Sequence, residues 1–195
     1  TTTQLAAFSA TQIGQFTNTS LAAFDVNQIA ALSTTQVKGI TNTQLASLSS
    51  TDINEFTATQ IGALTTTQLS ALSTTQLSAL DETQAAGLTT TQIAAFSVAQ
   101  IRGLAATDFA ELSATQFAAL TGAQVAAFST TAIADLAATT FEMFTTTQIA
   151  ALTTTQIDNL VADNISALNS TQLSAFTTAQ VQSFDDQQTA AYLGL

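Results

Sequence analysis

Large apolar side chains recur along this chain at alternating intervals of three and five residues: Leu5, Phe8, Ile13, Phe16, Leu21, Phe24 and onward. Cutting the sequence every eight residues from Thr1 places them in one register of twenty-four octads, with Leu193, Gly194 and Leu195 left over and no insertion or deletion. The octad reads S/T, T, T, Q, I/L, A, A, L/F. Position eight is a large apolar residue or Tyr192 throughout, and position five is large and apolar except at Ala85 and Thr189. None of the fifteen charged side chains falls at either position, so five and eight are read as the core.

Neither a continuous helix nor a strand can carry this pattern. At about 100° per residue, eight residues leave a drift of about 80° per octad, so the apolar stripe would wind around a helix. In a strand, positions five and eight would point to opposite faces, and the Ala pair between them is poor strand material. The chain must therefore break and restart in every octad.

The restart signal is explicit. Position one is Ser, Thr, Asp or Asn in twenty-one octads, the exceptions being Ala105, Ala137 and Val161, and position four is Gln in eighteen. S/T-x-x-Q is the capping box: the first side chain accepts from the fourth N–H, and the Gln reaches back to the first N–H. The apolar residue before the cap, such as Leu72 before Ser73, is placed to pack on the one four after it, Leu77, as a hydrophobic staple. Each octad thus predicts about a turn and a half of capped helix, too short to survive without neighbours.

A one-residue corner is too tight for an antiparallel helical hairpin. The expected fold is therefore all-α, a tight solenoid of very short capped helices, one per octapeptide and three to four per coil. Residues 1–184 are expected to form the octapeptide-repeat solenoid and residues 185–195 a degenerate C-terminal repeat or cap, because Thr189 stands where a core residue belongs. The N-terminal octad shows no such decay. The chain also begins without Met on a complete repeat, and so is expected to be an excised piece of a longer array or to stack on another copy. Asp52, Asp108 and Asn164 replace the position-four Gln at every seventh octad, and Asp25 and Asp81 take the cap at the same interval. Seven octads would then be two coils of three and a half octads each.

Composition narrows the function. A net charge of −11, with Lys38 and Arg102 the only bases, argues against nucleic acid and against anionic membrane surfaces. No apolar run approaches the roughly 20 residues of a spanning helix, so no membrane insertion is expected. The absence of Cys and His removes thiol nucleophiles, thiolate metal sites and the commonest general base. The pairs Asp52/Glu55 and Asp108/Glu111 lie three apart, a spacing open to a general acid and base or to half a calcium site, but Asp near a helix start also favours the dipole and Glu reads as solvated. Asn18, Asn164 and Asn169 match the N-glycosylation pattern, as chance allows in a sequence so rich in Thr, Ser and Asn. Lys38 and Arg102 both sit at position six, which marks that position as accessible. The expectation is an enzyme-free chain with no catalytic, cofactor-binding or metal-ligating residue and no cofactor.

Thr fills eighteen of the third positions, a row that a rigid solenoid could present to ice or glycans. The phrase TTTQIAAL, Thr145 to Leu152, resembles octapeptide arrays of large secreted or cell-surface, adhesin-like proteins of bacteria. That resemblance implies an extracellular or cell-surface setting and a structural role. The leading expectation is accordingly a stalk, spacer or filament-forming rod that associates end to end or continues into a longer array. The alternative is a binding module that uses the Thr rows.

Overall fold

The computed structural model describes every residue from Thr1 to Leu195. It is an all-α repeat solenoid without strands: each octad forms one short helix, from α1 (Thr2–Ala6) to α24 (Asp186–Leu193). The capping box explains most starts; α3 (Asn18–Ala22) and α17 (Thr130–Asp135) keep only the cap bond itself, from Thr17 and Ser129. In the sixth octad, Thr41 Oγ1 accepts from the Gln44 N–H at 3.2 Å, and Gln44 Oε1 accepts from the Thr41 N–H at 2.7 Å. Ala105, Ala137 and Val161 begin helices with no capping side chain.

Each helix stops because the octad returns to extended backbone at its core residue. In the seventh octad the Phe56 N–H closes on the Ile53 carbonyl at 3.2 Å. The corner takes two residues, such as Leu48 (φ −68°, ψ 145°) followed by Ser49 (φ −74°, ψ 167°), one more than the sequence suggested. Positions five and eight supply the core. Position five is buried in every octad from Leu5 to Ile165, including the small Ala85, whereas Thr189 is exposed.

The chain divides into two compact units, Thr1–Phe96 and Ser97–Leu195. Within the first, α2 (Ala10–Ile13) packs on α5 (Thr34–Val37), α5 on α8 (Ala58–Ala63) and α8 on α11 (Glu82–Gly87), a step of three octads. The position-four glutamines join chain segments about four octads apart. Gln60 Nε2 donates to the carbonyls of Ile29 and Leu32 at 2.7 and 2.8 Å, 31 and 28 residues upstream. Gln36, Gln44, Gln68, Gln76, Gln84 and Gln92 repeat this clamp at the same offsets. A coil is therefore 28 residues, three and a half octads, and each helix lies across a corner of the coil beneath. The seven-octad spacing of the substitutions equals two such coils.

Close approach is pronounced at two places in this unit. A Cβ on Gly14 would come within 2.6 Å of the Gly39 carbonyl oxygen, and one on Gly39 would fall on the Ala10 backbone. Gly62 and Gly87 repeat the arrangement against each other and Ala58. At these four glycines the backbones of neighbouring coils come too close for a side chain.

The second unit uses the same clamp. Gln148 Nε2 donates to Phe117 and Leu120, Gln156 to Val125 and Phe128, Gln180 to Ile149 and Leu152, and Gln188 to Ile157 and Leu160. Its core holds a cluster of rings: Phe109 stacks on Phe128 at 3.9 Å, Phe117 and Phe144 pack against Phe128, and Phe141 against Phe144. Helix α24 is the longest, and its chain ends in a left-handed turn at Gly194 (φ 72°).

Candidate functional site

The residues with chemistry-bearing side chains are mostly engaged in holding the coils. The Asp52 carboxylate accepts the Ser49 N–H at 2.7 Å, replacing the Gln in the capping box, and Asp108 does the same for the Ala105 N–H at 2.7 Å. Asp lacks the reach and the N–H of Gln, so Asp52 caps without clamping. Glu55 is not the solvated side chain the sequence suggested: it is half-buried, and its Oε2 is buried without a hydrogen-bond partner. Burial, then the Asp52 and Asp25 carboxylates, raises its pKa above the ordinary glutamate value. These three carboxyl groups form an acidic corner of the first unit.

Lys38 and Arg102 are exposed at position six, as their spacing predicts. The three glycosylation patterns separate. Asn164 is 1 % exposed and donates to the Leu136 carbonyl at 3.1 Å, serving as a shortened clamp that reaches one carbonyl instead of two. Asn169 is exposed but caps a helix by accepting the Gln172 N–H. Only Asn18, an exposed residue at the start of α3 (Asn18–Ala22), carries a side chain not engaged in such a bond.

Every position-three residue is exposed, Thr or otherwise. The half-octad stagger sets what lies beside it. One coil upstream of a position three is a position seven, usually Ala or Gly, so Thr in one coil is flanked by small apolar residues in the next. Thr meets Thr only every second coil.

The edge of the first coil is open. Gln4 and Gln12 are exposed and Gln28 is half-buried, whereas from Gln36 onward every position-four Gln is buried. Beside them an apolar groove of about 530 Å³ is lined by Leu5, Phe8, Phe16 and Phe24 together with Gln4 and Gln28. The three rings pack edge to face, with centroids 5.2 and 5.7 Å apart. Of the apolar residues in the first two octads, Leu5, Phe8 and Phe16 line this groove, whereas Ile13 is fully buried. No helix is long and apolar enough to cross a membrane. No protein-family model matches the chain, and no curated protein matches it.

Proposed function

We propose that this chain is a non-catalytic structural segment, a stalk or spacer, of a bacterial extracellular or cell-surface protein. The observation that carries this reading is the clamp: the recurring Gln of the octad both caps its own helix and fastens the coil beneath. Each unit is thereby built to resist separation of its coils. At about 0.5–1.5 kcal/mol net per hydrogen bond, a two-bond clamp contributes about 1–3 kcal/mol. Placed in parallel along a stack of nearest-neighbour contacts, such clamps add up with repeat number.

A spacer depends on length and not on any one residue. Deleting Thr65–Leu80, two complete octads, is expected to leave a folded protein with unchanged helicity per residue and lower stability; loss of folding would overturn the modular reading. For location, antibodies against the chain are expected to label intact cells of the source organism, and labelling only after permeabilisation would refute an exterior role.

The alternative, recognition of ice or glycans by the Thr rows, draws on the exposure of position three. The alternation of Thr with Ala or Gly from coil to coil weighs against a continuous flat row. An ice-shaping assay on the intact chain decides it, with faceted crystals favouring the binding reading.

A further inference from the structure

The clamp has two halves, and each end of the chain carries one of them without the other. At the first edge, Gln4, Gln12 and Gln28 use Oε1 to accept the N–H of Thr1, Ser9 and Asp25 at 3.0, 2.8 and 2.9 Å, while their Nε2 groups have no partner within the chain. At the last coil the matching acceptors stand open. The carbonyls of Leu168, Phe176 and Phe184 accept no hydrogen bond within the chain, although every equivalent carbonyl one coil below a buried Gln in the same unit, such as Leu152 and Leu160, accepts one.

The apolar surfaces correspond as well. Phe8, Phe16 and Phe24 pack edge to face at one end; Phe176, Phe184 and Tyr192 do so at the other, with centroids 5.2 and 5.5 Å apart along the series. Phe184 and Tyr192 are half-buried, and Leu193 and Leu195 beside them are 60 % and 90 % exposed.

We propose that the first-coil edge docks head to tail on the last-coil edge of a second copy of this chain, continuing the internal lattice across the junction. At the two clamp offsets that hold inside each unit, Gln4 reaches the carbonyls of Ile165 and Leu168, Gln12 those of Leu173 and Phe176, and Gln28 that of Tyr192. Ser20, too short to clamp, faces Val181 and Phe184. Like edges do not match: two first edges oppose donor to donor, and two last edges oppose carbonyl to carbonyl. The contact is heterologous and leaves one free edge of each kind, so it propagates. The net charge of −11 opposes it, so association strengthens with salt. The proposal deepens the structural-segment reading and rests on it.

The test is sedimentation velocity on the chain from micromolar to millimolar concentration. The wild type is expected to grow in mass with concentration. Gln4→Glu, Gln12→Glu and Gln28→Glu together keep the capping acceptor, since Glu serves the capping box as well as Gln, but remove the amide donors. This variant is expected to bind roughly tenfold more weakly or worse, with an unchanged helical spectrum. Three Glu residues at the exposed Thr67, Thr75 and Thr83 match its charge and are expected to associate like wild type. Leu193→Asp blocks the other edge at a side chain already exposed. Alone, each blocked variant associates far more weakly than wild type; mixed, the two form a one-to-one pair that grows no further. A monomeric wild type at millimolar concentration, undiminished association of the triple variant, or dimers of Leu193→Asp alone would overturn the proposal. The octad-deletion result stands apart from all three outcomes, so failure here is distinguishable from failure of the structural reading.

Discussion

Replacing Gln60 with Met removes one clamp at nearly constant side-chain volume. Gln60 is 3 % exposed and serves three backbone groups: it accepts from the Thr57 N–H at 2.9 Å and donates to Ile29 and Leu32. Ile29 keeps a second partner in the Leu32 N–H at 3.0 Å, whereas Thr57 N–H and the Leu32 carbonyl lose their only protein partner. Two such groups at about 1–3 kcal/mol each imply a loss of about 2–6 kcal/mol. Gln12→Met is the matched control. It breaks the same cap bond, to the Ser9 N–H at 2.8 Å, but at an exposed site with no clamp to lose, so the cost is about 1 kcal/mol. Urea denaturation followed by far-ultraviolet circular dichroism measures both. Equal losses at the two positions would refute the clamp as a source of stability and reduce the Gln to a cap.

Leu72→Asp, at a side chain 2 % exposed, is expected to cost several kcal/mol, whereas Asp at the exposed Thr67 should be nearly neutral in the same denaturation assay. Gly39→Ala drives a methyl group onto the Ala10 backbone and is expected to destabilise by about 1–3 kcal/mol, measured as a lower urea midpoint. Glu55→Gln is expected to stabilise at neutral pH. Because burial and the neighbouring Asp52 and Asp25 raise the folded-state pKa of Glu55, the native chain holds its proton more tightly than the unfolded one, and stability falls as pH rises through that window. The gain from Glu55→Gln should therefore shrink as pH is lowered and vanish below about pH 4, the ordinary glutamate range; a gain independent of pH would refute the assignment.

Much of this fold was legible because its information is local. The cap at position one and the Gln at position four lie three residues apart, and the apolar pair at five and eight sits within one helical turn, so the pattern inside a single octad determines the helix and its corner. The clamp was not legible from that pattern because its other partners are backbone carbonyls a whole coil away, and carbonyls carry no sequence signature. One trace was available. Glu satisfies a capping box as well as Gln, yet none of Glu55, Glu82, Glu111 and Glu142 stands at position four. A site that also needs an N–H donor excludes Glu, and that exclusion is the mark of the second role. The half-buried state of Glu55 was missed for a related reason: position seven faces solvent along its own helix and is covered by the neighbouring coil.

The half-octad stagger has a mechanical meaning. In brickwork laid in running bond, each vertical joint is bridged by the middle of the brick above, so no crack can run straight through the wall. The same holds for the weakest joints of the second unit. One coil on from the uncapped starts at Ala105, Ala137 and Val161 stand Ile133, Ile165 and Thr189, each inside a helix: α17 (Thr130–Asp135), α21 (Ala162–Ser166) and α24. Those helices pack on the very ones whose starts lack a cap, α14 (Ala106–Ala110), α18 (Ala138–Phe141) and α21. A corner that has lost its mortar is thus spanned by an unbroken course, and the array can absorb such lapses without opening a seam.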